Sequence, residues 1–140
     1  MSLYHYRAAV QSSRPAETKF RTLVEQLPAI TYIQLDDDTG ATIYTSPQTE
    51  AISGWPAQAF IDTPNHWLSI IHPDDRNGVL AANRRADETG ERFRYEYRQR
   101  RPAYTYKWIR DESLQVEDPA GGPAYWLGVI TDVTELKEAQ

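Results

Sequence analysis

The chain has 140 residues, 40% of them hydrophobic, and a formal net charge of −5. This length suits one domain with an apolar core and is too short for two ordinary domains. The negative charge disfavours broad nucleic-acid binding, which requires a basic face, and no apolar run has the length of a transmembrane helix or the pattern of a signal peptide. The chain contains no cysteine, which excludes disulfides, cysteine metal ligands and cysteine nucleophiles.

The N-terminal part of the chain is predicted to be a flexible arm over residues 1–14, followed by an amphipathic helix that begins at Pro15. Within the arm, Met1–Leu3 resembles a cloning remnant. The apolar residues of the helix recur at helical spacing and form one stripe: Phe20, Leu23, Val24 and Leu27. Pro28 ends the helix. The stripe suits a helix packed on the domain core and equally a helix at a dimer interface.

A β-hairpin is predicted next, with strands over residues 29–35 and 41–45 on either side of the turn Asp36–Gly40. The aspartates of this turn suggest a calcium loop at first sight. The glutamate that would complete a calcium-binding hand is missing from the required position, so a solvated turn is the better interpretation.

Several short helices and one long helix follow the hairpin. Ser46-Pro47 begins a short helix that Gly54 ends, because proline suits the first helical position and glycine suits the residue after the last. His72-Pro73 begins the longest internal helix, which Gly90 ends. Asp74-Asp75 lies in its first turn, where each carboxylate favours the helix dipole by about 0.3–1 kcal/mol.

The last third of the chain reads as three strands. Phe93–Arg98 alternates aromatic and charged residues, and Thr105–Val116 continues as a long strand. Tyr125–Ile130 is an almost unbroken apolar run, which is typical of a central strand covered on both faces. Gly128 in this run has no side chain, so a helix or a ligand could approach the backbone there.

The last strand leads directly into a helix. Asp132 and Thr134 can accept hydrogen bonds from the free N–H groups of a helix start, and Glu135–Gln140 consists of helix-forming residues. We therefore predict a domain over residues 15–134 and the beginning of an output or linker helix over residues 135–140. A helix that leaves the domain in this way suggests that the chain is part of a larger protein.

Three motifs occur in an order and at a spacing that resemble the PAS domains, in the subgroup called PAS fold 3. They are Trp67 followed by His72-Pro73-Asp74-Asp75-Arg76, then Glu96-Tyr97-Arg98 followed by Trp108-Ile109-Arg110-Asp111, and finally Gly128-Val129-Ile130-Thr131-Asp132-Val133-Thr134-Glu135. The resemblance covers about residues 18 to 138. Each motif alone is weak, but the ordered set is specific.

The resemblance implies an α+β fold, a five-stranded antiparallel sheet with short helices packed on one face. A ligand pocket is expected between the sheet and the helices, lined in part by Ile33, Tyr44, Trp67, Ile71 and Val129. Signal coupling to the output helix is expected from Asp132, Thr134 and Glu135. The remaining motif residues are expected to have structural roles: His72, Pro73, Asp74, Asp75, Glu96, Arg98 and Trp108.

As a function, the resemblance implies a sensory and dimerisation module of a cytoplasmic, bacterial signalling protein. The output domain would be a histidine kinase, a diguanylate cyclase or a cyclic-di-GMP phosphodiesterase, and the module would bind a small ligand non-covalently. A homodimer is expected through the N-terminal helix and the outer sheet face, with no nucleic-acid partner. The alternative is a ligand-free module for protein interaction, and a third, less favoured, is a haem- or flavin-binding sensor. Because no catalytic constellation is visible, the fragment itself is not expected to be an enzyme.

Cofactor chemistry is restricted by residue content. Without cysteine, the flavin–cysteinyl photocycle, thioester-linked coumarate and thioether-linked bilins are excluded. The three histidines, His5, His66 and His72, are not at metal-ligand spacing. Haem is the serious alternative, because some PAS domains bind it through a histidine on or beside the long helix. We expect no haem, since His72 is explained by its place before a helix-start proline.

Overall fold

The structure is a computed structural model that describes residues 14–140. The predicted arm therefore lies almost entirely outside the described residues, as does the side chain of Phe20. The helices are α1 (Arg14–Gln26), α2 (Thr49–Ser53), α3 (Ala57–Asp62), α4 (His66–Ser69), α5 (Pro73–Thr89) and α6 (Thr134–Glu138). The strands are β1 (Ile30–Leu35), β2 (Thr42–Thr45), β3 (Phe93–Arg100), β4 (Tyr106–Val116) and β5 (Tyr125–Asp132).

The five strands form one antiparallel sheet in the order β2-β1-β5-β4-β3. The last strand of the chain is central, because it pairs with β1 along one edge and with β4 along the other. This arrangement confirms the predicted α+β fold and the central position of β5. The observed elements differ from the predicted ones mainly at their ends, where helix and strand limits are least sharply defined.

The sheet has an inner face, which α2 to α5 cover, and an outer face on the other side. The core lies against the inner face and includes Ile30, Tyr97, Ile109 and Ile130 from the strands and Val79 from α5. On the outer face, Leu127 is 45% exposed and Val129 is 41% exposed. The prediction that β5 is covered on both faces is therefore wrong for the described part of the chain. An apolar run conceals the alternation of a strand when its exposed positions are also apolar.

The start of α5 is fixed to β3 by the predicted histidine–aspartate motif. The backbone N–H of Asp74 donates to Nδ1 of His72 at 3.0 Å, and Pro73 occupies the first turn. Asp75 accepts from the backbone N–H of Arg98 at 2.8 Å and forms an ion pair with the Arg98 guanidinium at 2.8 Å. The motif therefore combines a helix cap with a link between α5 and the sheet.

Helix α1 lies over the outer face and not in the core. The side chain of Gln48 donates to the carbonyl groups of Val24 and Leu27, which holds the end of α1 beside α2. Leu23 and Leu27 remain 67% and 46% exposed. Within the described residues, the apolar stripe of this helix is therefore only partly covered.

No helix in residues 14–140 combines the length and the apolar character needed to cross a membrane.

Candidate functional site

An interior cavity of about 30 Å³ lies between the inner face of the sheet and the short helices. One water requires about 10–15 Å³, so the cavity has room for a water or for a molecule of a few atoms. Its walls include Ile30, Tyr32, Phe60, Trp67, Gln99 and Ile130. Gln99 is 3% exposed, and its Nε2 has no hydrogen-bond partner among residues 14–140. The cavity is thus mainly apolar, with one free hydrogen-bond donor group in its wall.

The structure corrects the placement of most predicted pocket residues. Trp67 lines the cavity, and Ile71 is buried in the adjoining core without lining it. Ile33 and Tyr44 instead form a cross-strand pair on the outer face, where Val129 also lies exposed. Successive side chains of a strand point to opposite faces, so a choice wrong by one residue moves a side chain out of the cavity. The cavity is lined on β1 by Ile30, Tyr32 and Gln34 and on β5 by Ile130, so Tyr32 and Ile130 stand in place of their predicted neighbours.

A buried carboxylate cluster, consisting of Asp111, Tyr32, Tyr97 and Trp67, lies beside the cavity. Asp111 is 1% exposed and accepts hydrogen bonds from the Tyr32 hydroxyl at 2.7 Å and the Tyr97 hydroxyl at 2.9 Å. The Tyr97 oxygen in turn accepts the indole N–H of Trp67 at 2.6 Å. None of the ion pairs in residues 14–140 includes Asp111.

Burial raises the pKa of Asp111 to about 6, because the charged carboxylate has lost its water, although the side-chain hydrogen bonds of Tyr32, Tyr97 and Trp67 oppose this shift. Burial and the nearby Asp111 charge raise the pKa of Tyr32 and of Tyr97 well above the usual value. The tyrosines therefore stay neutral donors. This cluster is absent from the sequence-based predictions. The signal that could have revealed it is Asp111, a charged residue between Ile109 and Ser113 at the alternate, inward-facing positions of β4.

Gly128 is covered by the ring of Tyr32, its cross-strand partner on β1. A Cβ atom at this glycine would overlap Cζ, Cε1 and the hydroxyl oxygen of Tyr32. The space above the Gly128 backbone is therefore not open to a helix or a ligand. An aromatic side chain from the neighbouring strand fills the space and extends over it to Asp111.

The described histidines do not line the cavity. His72 packs against Tyr106 with ring centroids 4.8 Å apart, and His66 contacts the rings of Trp55 and Phe60 edge-on at 4.6 and 4.9 Å. Helix α5 contains no histidine. Burial and the charge of Arg100 lower the pKa of His66. The cavity of about 30 Å³ is too small for haem or flavin unless the cavity walls separate.

Residues 14–140 hold no group of three or more histidine, aspartate or glutamate side chains arranged to bind a metal ion.

The end of β5 and the start of α6 are joined to β4 at an exit junction formed by Trp108, Asp132, Val133 and Thr134. The Thr134 N–H donates to Oδ1 of Asp132 at 2.9 Å. The Trp108 N–H donates to Oγ1 of Thr134 at 3.0 Å, and the Val133 N–H donates to the Trp108 carbonyl at 2.9 Å. Glu135 lies exposed in the first turn of α6. The direction in which α6 leaves is therefore determined by bonds to two strands.

A second set of contacts holds the short helix α6 against the outer face of the sheet. Lys137 lies over the Trp108 ring, 4.7 Å from the centroid, and pairs with Glu96 at 3.2 Å. Glu96 also pairs with Arg110 across the β3–β4 ladder at 2.8 Å. The guanidinium of Arg98, which holds Asp75 of α5, lies 5.2 Å from the Trp108 centroid. Contacts are thus continuous from the start of α5 to α6, with Trp108 between two cations.

A sheet that encloses a cavity on one face and leads its central strand into an outgoing helix has the architecture of a sensor domain. The sequence profile of the PAS_3 family, described as the PAS fold, matches residues 42–130, which is more than half of the chain. The chain therefore belongs to the PAS fold family, and PAS domains are sensory modules of signalling proteins.

Solved structures and relatives agree with this assignment. The N-terminal domain of a diguanylate cyclase with PAS/PAC sensor from Marinobacter aquaeolei has a TM-score of 0.69 and 27% identity, covering 78% of this chain and 98% of that one. A sensory box histidine kinase/response regulator from Burkholderia thailandensis has a TM-score of 0.68 and 31% identity, covering 86% and 88%. The sensor protein FixL of Bradyrhizobium diazoefficiens is 31% identical over 74 residues, 53% of this chain and 15% of FixL. The chain spans about 15% of the length of the curated relatives it matches.

Proposed function

We propose that this domain senses a small, non-covalently bound molecule and passes the signal to an output domain through α6. The output is expected to be a histidine kinase, a diguanylate cyclase or a cyclic-di-GMP phosphodiesterase of a cytoplasmic signalling protein, and the domain itself is expected to have no catalytic activity. The observation that carries this proposal is the exit junction, where Thr134 accepts the backbone N–H of Trp108 on β4 and donates its own backbone N–H to Asp132 of β5.

The interior supports the sensing half of the proposal. The cavity adjoins Tyr32, whose ring lies over Gly128 of β5. An occupant that moves this ring acts directly on the central strand. Because β5 continues into Asp132 and α6, a small shift of the strand is expected to rotate or translate the helix.

The coupling role predicts a specific result for Asp132→Ala and Thr134→Ala. Asp132→Ala removes a bond to the helix start and Thr134→Ala removes a bond to the backbone of β4, and each loss costs the isolated domain about 0.5–2 kcal/mol of unfolding free energy. In the full-length protein, each is expected to change output activity per folded molecule, because α6 loses its fixed direction. Glu138→Ala, in the same helix and exposed, is the control. If both variants only lower the melting temperature and leave output per folded molecule unchanged, the two residues stabilise the junction and do not couple it to output.

The second candidate function is dimerisation, and the outer face supports it. Four apolar residues stand in register across four strands and form an outer stripe: Tyr44, Ile33, Leu127 and Leu114. Tyr44, Leu127 and Leu114 are 40%, 45% and 37% exposed. A groove of about 700 Å³ separates α1 from this face. The exposed Leu23 of α1 and Leu27, which follows the helix, extend the apolar surface, as a homodimer through α1 and the outer face requires.

Dimerisation predicts that Leu127→Glu weakens self-association at least about tenfold, because a carboxylate would be buried without a partner. Sedimentation equilibrium at several concentrations measures the dissociation constant. Leu80→Glu is the matched control, since Leu80 is also 40% exposed but lies on α5, on the opposite side of the sheet. Equal effects of the two substitutions, or a wild-type domain that stays monomeric, would contradict the proposed interface.

A further inference from the structure

The buried carboxylate cluster holds one acidic side chain, Asp111, away from water. Asp111 has no cationic partner among the described residues, and two tyrosine hydroxyl groups satisfy its oxygens. A carboxylate removed from water and held only by neutral donors binds a proton more readily than an exposed one. We propose that Asp111, with Tyr32 and Tyr97, forms an interior proton-binding site whose occupancy alters how the strands of the sensor domain are held together.

The side chains that face Asp111 from the neighbouring strands are neutral. Tyr32 faces it from β1, Tyr97 faces it from β3, and Tyr95 is its cross-strand neighbour on β3. On β5 its partner is Ile130. The charged side chain that acts on it is Glu112, the next residue of β4, which further favours the protonated form. With the pKa of Asp111 at about 6, the site changes charge between about pH 5 and pH 7.

The protonated arrangement can form by rotation of hydroxyl groups alone. A proton placed on Oδ1 of Asp111 is donated to the Tyr32 oxygen, 2.7 Å away. The Tyr32 hydrogen then turns away from Oδ1 of Asp111, as a rotating hydroxyl group permits. Tyr97 continues to donate to Oδ2. The proton enters from solvent and no heavy atom has to exchange partners, so uptake and release are reversible.

Proton uptake changes the strength of the links through Asp111. Hydrogen bonds to a carboxylate are about twice as strong as those between neutral groups. In the ionised state, these bonds tie β1 and β3 to β4, and through Tyr97 they reach Trp67 of α4. Protonation weakens these ties. Asp111 lies three residues from Trp108, so the affected strand is the one that holds the exit junction. The domain is therefore expected to respond to pH whether or not a small molecule occupies the cavity.

The test is a pH titration of the ¹³C-labelled side-chain carboxyl groups of the domain by NMR. In the wild type, one aspartate resonance is expected to titrate with a midpoint near pH 6, and Asp111→Asn is expected to remove it. Burial and the charge of Asp87 also raise the pKa of Asp36, so Asp36→Asn assigns that resonance separately. The indole N–H of Trp67 is expected to shift with the same midpoint, because it reports the cluster through Tyr97.

Two tyrosine variants keep the proposal testable if Asp111→Asn does not fold. Tyr97→Phe removes a donor to the carboxylate and is expected to raise the midpoint by at least about half a pH unit. Tyr95→Phe is the matched control, because the Tyr95 hydroxyl lies against Gly78 of α5 and not against Asp111, and it should leave the midpoint unchanged. The proposal is overturned if no aspartate other than Asp36 titrates between pH 5 and pH 7, or if Tyr97→Phe leaves the midpoint where it was.

Discussion

Replacing Gly128 with alanine is expected to lower the free energy of unfolding by about 3 kcal/mol. The added Cβ would overlap the ring and hydroxyl of Tyr32, so the ring has to leave its place on β5. Overpacking of this kind costs about 1–3 kcal/mol. The displaced Tyr32 also loses its 2.7 Å hydrogen bond to the buried Asp111, and bonds to charged groups contribute about 1.5–3 kcal/mol. Urea denaturation of the two proteins measures the difference.

A double-mutant cycle shows whether the Tyr32 ring is the cause. In a Tyr32→Val background, the shorter side chain does not extend over Gly128, and the cost of Gly128→Ala is expected to fall below about 1 kcal/mol. Alanine can adopt the backbone conformation of Gly128, because Gly128 does not have a positive φ angle. Valine is a strand-forming residue and suits position 32 of β1. An unchanged cost in the Tyr32→Val background would mean that Gly128 is required for another reason.

Replacing Asp75 with alanine is expected to cost about 2–3 kcal/mol of unfolding free energy at neutral pH. The side chain is 15% exposed and accepts three hydrogen bonds from Arg98, one from its backbone N–H at 2.8 Å and two from its guanidinium at 3.0 and 2.8 Å. Without Asp75, the start of α5 loses its link to β3, and the guanidinium of Arg98 loses its ionic partner. Urea denaturation measures the loss.

The cost of this substitution should depend on pH in a defined direction. The hydrogen bonds from Arg98 lower the pKa of Asp75 below its usual value of 3.8. The stabilisation by this carboxylate is therefore fully present above about pH 4 and is lost as the pH falls through its lowered, folded-state pKa. Wild type and Asp75→Ala are expected to become equally stable in strong acid.

Asp74→Ala is the matched control for Asp75→Ala. Asp74 is the adjacent residue in the same first turn, but its side chain is exposed and contributes mainly through the helix dipole, by about 0.3–1 kcal/mol. A loss of equal size for the two substitutions would show that the helix start, and not the link to Arg98, is what Asp75 stabilises.

Local sequence patterns predicted much of this architecture. The prolines and glycines that limit the short helices act on their own backbone, so Pro73 and Gly90 indicated the ends of α5 without reference to the rest of the fold. The part played by Asp132 in the exit junction was also visible, because Asp132 accepts a hydrogen bond from the backbone of Thr134, two residues further along the chain. Such features depend on neighbours in the chain, and the sequence states those neighbours directly.

The pocket residues depended on strand register, which the sequence left open. Ile33 and Tyr32 are both strand-forming residues, and so are Val129 and Ile130. Which of these residues face inward depends on the pairing of β1 with β5. Polar residues usually mark the outer face of a sheet, but here the outer positions are also apolar, so the sequence does not distinguish the two faces.

Composition and order of motifs by themselves determined that this chain contains a cysteine-free PAS-type domain with a helix leaving its last strand. Only the tertiary structure decided what lies inside it. Tyr32, Tyr97 and Asp111 are far apart in the chain and belong to three strands, and the folded sheet brings their oxygens within 2.7 and 2.9 Å. The reason is physical: a hydrogen bond between distant residues depends on register, face and twist together, and no local stretch of sequence contains all three.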